Sequence, residues 1–329
     1  MPGTRKKLLL PATLARAGWD ALAARSDIEA IAYDPAIAPA AFHALLADAE
    51  GVALSLTRFG EAEVRAATAL RVVARHGVGF DAVDVTALTR RRIPLMVTGT
   101  ANSPSVAEHA LCFMLALAKR EAALHAMVRE GRWKDRLVED LPLDLYGKTV
   151  LVVGFGRIGM RVARICLAFQ MKVCVYDPYV APAAIRLAGC RPEPDLDKAL
   201  AQADFVTIHC PKTDETKGMF DAPRLQHMKP TAFLVNTARG GIIDEAALHA
   251  ALAAGTIRGA ALDVFDSEPP ANDNPLLKLP NVIAAPHMAG VTKESLDRMA
   301  VSVADNLLSV LDGRPAIDNV VNKEIYTHR

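Results

Sequence analysis

The sequence predicts an α/β protein made of two doubly wound parallel-sheet domains. Three observations lead there. The chain has 329 residues, more than one apolar core ordinarily organises, so two cores are expected. Short apolar, β-branched runs alternate with helical stretches from Arg5 to about Ala285, the arrangement of parallel sheets covered by helices on both faces. The alternation breaks once, at Thr98-Gly-Thr-Ala-Asn-Ser-Pro104, where the first inter-domain hinge is expected.

The first stretch places strands at Leu8–Leu10, Ile28–Tyr33, Val52–Leu56, Val72–Ala74 and Leu95–Val97, with Ala- and Leu-rich helices between them. Met1–Pro11 carries Arg5, Lys6 and Lys7 before its Leu run. An apolar run this short, closed by a proline, is too brief for a signal peptide, and a strand with a solvated basic start is expected. Beyond the hinge, Ser103 is expected to cap a long helix with Pro104 at its first position and its end near Lys119. A second helical stretch runs from Ala122 to about Arg132. Seven or so β/α alternations are then expected, with apolar strands at Val150–Val153, Val173–Tyr176, Phe205–Ile208, Phe233–Val235, Ala260–Val264 and Val282–Ala285. The last helical pattern, Lys293 to Leu311, follows the final strand of this set, so the chain can return to its first domain. The expected division is 1–101 with about 290–329, against 102–289.

Lys and Arg number 38 against 37 Asp and Glu, which leaves no broad basic face for a phosphate backbone. No nucleic-acid partner is expected. The longest apolar stretch, Ala110 to Ala118, is about half of the roughly 20 residues that cross a bilayer, and it reads as a buried helix with no membrane partner. The five cysteines form no Cys-x-x-Cys pair and sit mostly in apolar runs, which fits a reducing, cytoplasmic setting.

Val150-Leu-Val-Val-Gly154-Phe-Gly156-Arg-Ile-Gly159 sets a Gly-x-Gly-x-x-Gly loop directly after a strand and at the head of a helix running to Gln170. Such glycines allow a tight turn, close approach of backbone N–H groups to a pyrophosphate, and close helix–strand packing. The next strand, Lys172 to Tyr176, ends in Asp177, 18 residues beyond Gly159, where a carboxylate can hold the hydroxyls of an adenosine ribose. The larger domain is therefore expected to be a Rossmann domain binding NAD. A carboxylate facing the 2′-position would repel the extra phosphate of NADP, and no Arg immediately follows it.

Open α/β sheets bind ligands beyond the carboxyl ends of their strands. Three charged residues stand just past such ends: Arg239 after Phe233-Leu-Val-Asn-Thr-Ala, Glu268 after Ala260-Ala-Leu-Asp-Val-Phe-Asp-Ser, and His287 after Val282-Ile-Ala-Ala-Pro. Together they form a set suited to a 2-keto acid. A guanidinium grips a carboxylate in bidentate fashion better than an ammonium does, a role expected of Arg239. Hydride arrival at a carbonyl carbon builds negative charge on oxygen, which His287 can neutralise by giving a proton. A carboxylate on the other ring nitrogen would fix the tautomer and keep the ring protonated for the reductive direction. Glu268 is the candidate.

With these residues assembled, the chain resembles the D-isomer-specific 2-hydroxyacid dehydrogenases, which include phosphoglycerate, hydroxypyruvate/glyoxylate and D-lactate dehydrogenases. The resemblance runs from about Val52 to Asp305. It rests on Gly77-Val-Gly-Phe-Asp81, Ser105-Val-Ala-Glu108, the loop Gly154 to Gly159, Asn236-Thr-Ala-Arg-Gly-Gly241, Ala261-Leu-Asp-Val-Phe265 with Glu268-Pro-Pro, and Pro286-His-Met-Ala-Gly290. It implies a flavodoxin-like substrate-binding domain beside the Rossmann domain, an active site in the cleft between them, and a homodimer built through the nucleotide domain. It supports Arg239, Glu268 and His287 as the catalytic set. It implies further cofactor contacts from Arg157 and Ile158 at the pyrophosphate, Cys210 and Pro211 under the adenosine half, and Thr237, Ala238 and Asp263 near the nicotinamide, with Thr216 and Gly290 also at the cofactor. Backbone groups of Val78 and Gly79 would meet the substrate carboxylate. Formate dehydrogenases of the same superfamily carry Gln where this sequence has Glu268, which disfavours them.

The chain departs from the family pattern in its substrate loop, where His76 takes the place of a smaller residue, and near Leu54, where phosphoglycerate dehydrogenases place an Arg. No regulatory domain of the kind many such enzymes carry is expected. The first expected substrate is thus hydroxypyruvate or glyoxylate, and the second D-3-phosphoglycerate. A reading from another class is an NAD-sensing corepressor-like binding protein, since the C-terminal-binding-protein corepressors share the triad and the glycine loop. No metal site is expected: His109 lacks a His-Glu-x-x-His partner and reads as a packed helix residue. His209 reads as structural or as a ribose neighbour, and His43, His125, His227, His249 and His328 as surface or helix positions.

Overall fold

The computed structural model describes residues 5–327 except 56 and 138–139. The expected strand end at Leu56, the reading of residues 1–4 and the placing of His328 lie outside the described residues. The chain divides into two units, one of residues 1–102 and 291–329 and the other of residues 103–290.

The first unit opens with β1 (Lys6–Pro11), α1 (Arg16–Ala23), β2 (Ile28–Tyr33), α2 (Pro39–Leu46), β3 (Gly51–Leu54), α3 (Glu61–Ala66), β4 (Val72–Arg75), α4 (Val85–Arg90) and β5 (Leu95–Met96). The five strands are parallel in the order β2-β1-β3-β4-β5, the flavodoxin-like winding. β3 is buried at every position, as a strand covered on both faces must be.

The second unit begins with α5 (Ser103–Lys119) and α6 (Glu121–Arg129), followed by a 3-10 turn at Trp133–Leu137. Its sheet then alternates β6 (Thr149–Val153), α7 (Gly159–Ala168), β7 (Lys172–Tyr176), α8 (Pro182–Leu187), β8 (Arg191–Pro192), α9 (Leu196–Gln202), β9 (Phe205–Ile208), α10 (Ala222–His227), β10 (Phe233–Asn236), α11 (Glu245–Ala253), β11 (Gly259–Leu262) and β12 (Val282–Ala284). The seven strands lie in the order β12-β11-β10-β9-β6-β7-β8, all parallel. The winding reverses between β6 and β9, and ligands of such sheets bind outside the strand ends at that switch point.

Two expectations need correction. α5 begins at Ser103 itself, whose hydroxyl is buried and makes no hydrogen bond, so it does not cap the helix. β8 was not among the expected strands: a two-residue edge strand containing Pro192 carries no apolar run to announce it.

The chain returns to the first unit through α12 (Lys293–Leu311), capped by the Thr292 hydroxyl on the Ser295 N–H at 3.0 Å, and ends in α13 (Glu324–Thr327). α12 lies against α1 so closely that a Cβ on Gly18 would fall 2.7 Å from the Ala300 carbonyl oxygen. Val303, Ala304 and Leu307 are fully buried there, and each side chain as large as Val or Leu contributes ~1.5–3 kcal/mol by leaving water. The tail is stitched to β5 by Leu95 N–H to Asn322 Oδ1 at 2.9 Å and Val321 N–H to the Leu95 carbonyl at 2.8 Å. No helix among the described residues is long and apolar enough to cross a membrane.

Candidate active site

At the switch point, β6 runs into the glycine loop. Gly154 has φ +93°, and a Cβ there would fall 2.6 Å from the Cys210 backbone nitrogen, which follows β9. Gly159 starts α7 under a second constraint, since its Cβ would lie 2.0 Å from the Gly154 carbonyl oxygen. Gly156 differs: a Cβ there would meet nothing within 4 Å. Two glycines thus close the turn, and the third keeps its outer surface bare at the head of a ten-residue helix, where N–H groups and the helix dipole favour an anion. Arg157 is exposed beside it, and Ile158 takes the N-cap position.

Asp177, at the end of β7, is half-buried and ties the loop to its neighbour. One carboxylate oxygen accepts the Phe155 N–H at 2.7 Å and the other the Tyr179 N–H at 2.9 Å. Each oxygen keeps a further lone pair for a ribose hydroxyl. Across the switch point, burial pushes the Cys210 thiol up to about 11. Thr216 locks the turn that follows, donating to the Pro211 carbonyl at 2.7 Å and accepting the Thr213 N–H at 2.8 Å. His209 bonds Thr207 at 2.8 Å through Nε2, its Nδ1 is enclosed without a partner among the described residues, and burial lowers its pKa to about 3.

The three charged residues stand past β10, β11 and β12, which are neighbours in the sheet. Asn236, buried at the end of β10, shapes the Arg239 loop: its Nδ2 donates to the Arg239 carbonyl and its Oδ1 accepts the Ala238 N–H, both at 2.9 Å. Arg239 donates through Nη1 to the Ala238 carbonyl at 2.6 Å. Gly240 lets this loop sit on the next one, because a Cβ there would fall 1.8 Å from the Phe265 carbonyl oxygen. Glu268 accepts the Phe265 N–H through Oε1 at 3.1 Å and meets His287 Nδ1 through Oε2 at 2.7 Å. A carboxylate on Nδ1 fixes the proton there, leaving Nε2 for chemistry.

His287 has φ +56°, an uncommon backbone state for a side-chain-bearing residue. Asp263 holds it. The Asp263 carbonyl accepts the His287 N–H at 2.9 Å, and its carboxylate, only 1% exposed, accepts the Met288 and Ala289 N–H groups at 2.7 and 2.8 Å. Thr237 Oγ1 is buried beside the Arg239 loop with no partner among the described residues. Asn236 and the bracing role of Asp263 escaped the sequence reading. The available signal was a polar residue closing an otherwise apolar strand directly before a functional loop.

The expected substrate residues of the first unit lie after β4. His76 N–H donates to the Leu54 carbonyl at 2.7 Å, and Arg75 Nη1 donates to the His76 carbonyl at 2.6 Å. The Val78 and Gly79 N–H groups have no acceptor among the described residues. His76 Nε2 is buried without a partner among the described residues, and burial, followed by the charge of Arg75, lowers the pKa of the ring. Among the described residues no cluster of His, Cys, Asp and Glu could hold a metal ion.

Comparison with known proteins accords with this geometry. Residues 111–289 match the NAD binding domain of the D-isomer specific 2-hydroxyacid dehydrogenases. The chain is 40% identical to D-3-phosphoglycerate dehydrogenase of Archaeoglobus fulgidus over 82% of its own length and 51% of that protein's. It is 41% identical to glyoxylate reductase of Korarchaeum cryptofilum, over 84% of each. The chain therefore spans about half the length of the phosphoglycerate dehydrogenases it matches and most of that reductase. The crystal structure of D-lactate dehydrogenase from Aquifex aeolicus with NAD and lactic acid superposes with a TM-score of 0.84 at 29% identity, covering 96% of this chain and 99% of that one. From the glycine loop, the strand-end residues and these relatives together, the chain belongs to the family of D-isomer specific 2-hydroxyacid dehydrogenases.

Proposed function

We propose that the chain is an NAD-dependent D-2-hydroxyacid dehydrogenase that works as a 2-keto acid reductase, with hydroxypyruvate or glyoxylate as its first substrate. The observation that carries this reading is the 2.7 Å bond between Glu268 and His287 Nδ1, made at the strand ends next to the Arg239 loop.

The residues present suit NAD. Bare Gly156 and the head of α7 offer a pyrophosphate cradle with Arg157 and Ile158, and Asp177 keeps lone pairs for ribose hydroxyls while its charge disfavours a 2′-phosphate. Cys210, Pro211 and Thr216 would flank the adenosine half. The unpartnered Thr237 hydroxyl, with Ala238, Asp263 and Gly290, would serve the nicotinamide half. When bound, NAD supplies the hydride chemistry at C2 of the acid.

The chain's own residues do the rest. Arg239 grips the substrate carboxylate, and in the first unit the N–H groups of Val78 and Gly79 are two further donors suited to a carboxylate, with His76 beside them. His287 Nε2 gives its proton to the carbonyl oxygen as negative charge builds there, and takes it back in the oxidative direction. Glu268 holds Nδ1–H and stabilises the charged ring. D-3-phosphoglycerate is the second substrate, favoured by the similarity to phosphoglycerate dehydrogenases. A homodimer is supported by α6, which buries none of its own residues, and by the exposed Trp133, Leu137, Leu141 and Tyr146 that follow it.

The test is NADH oxidation with glyoxylate, hydroxypyruvate, pyruvate, 2-ketoglutarate and phenylpyruvate, and phosphoglycerate with NAD in reverse. Turnover of a keto acid is expected, fastest with hydroxypyruvate or glyoxylate, and His287→Ala should lower kcat by about 10²–10⁴-fold. NADH binding without turnover on any of them, together with stoichiometric capture of peptide partners, would favour a corepressor-like binding protein. Unchanged kcat in His287→Ala would remove that residue from the mechanism.

A further inference from the structure

Asp263 is the hub from which the His287 turn hangs. Its carboxylate is 1% exposed and accepts two backbone N–H groups. A buried carboxylate gains from every further donor that reaches it, because it has left water behind. The group that faces it from α5 is His109, whose Nε2 stands 3.9 Å from Asp263 Oδ1. The His109 side chain as a whole is 26% exposed, but Nε2 itself is buried and makes no hydrogen bond among the described residues. The ring is fixed edge-on against Phe113, with centroids 4.4 Å apart. A shift of roughly 1 Å would turn this approach into a hydrogen bond, and Asp263 Oδ1 has a lone pair left to accept it.

We infer that His109 is a positioning residue for His287: donating from Nε2 to the Asp263 carboxylate, it holds the peptide groups of Met288 and Ala289 and with them the backbone state of His287. The inference rests on the reading of His287 as the proton donor. His109 touches neither the reacting atoms nor the glycine loop in this role. Its loss therefore acts on the order of the turn and, through His287, on turnover.

Two substitutions separate donation from packing. His109→Phe keeps a flat ring against Phe113 and removes the donor, whereas His109→Gln sets an amide nitrogen near the place of Nε2. Hydrogen exchange on the cofactor-free full chain is read at the Met288 and Ala289 amides. Exchange about tenfold faster in His109→Phe, and within about twofold of the parent in His109→Gln, is expected from loss of one hydrogen bond to a charged group. With NADH and hydroxypyruvate, kcat should fall about tenfold in His109→Phe and recover in His109→Gln. Parent-like exchange in His109→Phe overturns the inference, as does equal damage from both substitutions. His287→Ala is assayed alongside. If it turns over like the parent, the reading of His287 fails, whereas a crippled His287→Ala beside a parent-like His109→Phe overturns the His109 inference alone. Should hydroxypyruvate not be turned over, the exchange measurement decides.

Discussion

The role proposed for Arg239 rests on shape as much as on charge. Its loop is set by Asn236, which bonds the backbone on both sides of it, so the guanidinium departs from a fixed base. Arg239→Lys keeps the charge and loses the planar fork. The loss of one charge-assisted bond of about 1.5–3 kcal/mol predicts a fall of about 10–100-fold in kcat/KM for the keto acid. NADH affinity, measured by fluorescence, should stay put. The placing of Arg239, Glu268 and His287 past neighbouring strand ends was legible because they interrupt apolar runs, where nothing about packing calls for them. Asn236 and Asp263 were harder to read, since an Asn or Asp at a strand end can cap, turn or bind, and only coordinates show which amides it meets. His209 gives a prediction of another kind. Burial lowers its pKa to about 3, against about 6.5 in an unfolded chain. The unfolded state therefore binds the extra proton between those values, and stability falls as pH drops through that window. The slope is at most about 1.4 kcal/mol per pH unit. Denaturant midpoints at pH 7 and 5 should converge in His209→Asn relative to the parent; an unchanged difference would show that the ring is solvated.

At the scale of elements, the loop between β6 and α7 separates folding from binding within six residues. A Cβ at Gly159 would meet the Gly154 carbonyl oxygen at 2.0 Å, whereas at Gly156 it would meet nothing within 4 Å. Gly159→Ala must push strand and helix apart, at a cost of about 1–3 kcal/mol or more, and should lower Tm. Gly156→Ala leaves the fold intact but covers the surface that the pyrophosphate would approach, so Tm should hold while NADH binding weakens at least about tenfold. Equal NADH affinity in Gly156→Ala and the parent would remove the loop from cofactor binding. The Gly-x-Gly-x-x-Gly spacing announced this element, because few other uses demand glycine at those places. β8 and the capping of α5 lacked such a signal. A two-residue edge strand has no period to detect, and Ser103 offers a hydroxyl that the helix start does not use.

For the molecule as a whole, the return of α12 to the first unit was legible from its position after β12 and its long amphipathic pattern. The surface following α5 was less so. α6 buries none of its residues, the 3-10 turn at Trp133–Leu137 buries none either, and Val128, Trp133, Leu137, Leu141 and Tyr146 are all exposed. A helix that buries nothing of itself gains little from its own chain, and several exposed large apolar side chains along one stretch suit an interaction site. A second copy of this chain is the proposed cover. A stable dimer of ordinary size buries about 1,600 Å² in all, with aromatic and large aliphatic anchors near its centre. Placing charge on two such anchors, with Trp133→Glu and Leu137→Glu together, sets carboxylates where the partner would desolvate them. Sedimentation should then show a monomer where the parent sediments as a dimer. The far-ultraviolet spectrum should be unchanged, because neither side chain is buried within its own unit. A double variant that still sediments as a dimer would place the subunit contact elsewhere and leave this apolar segment without its proposed cover.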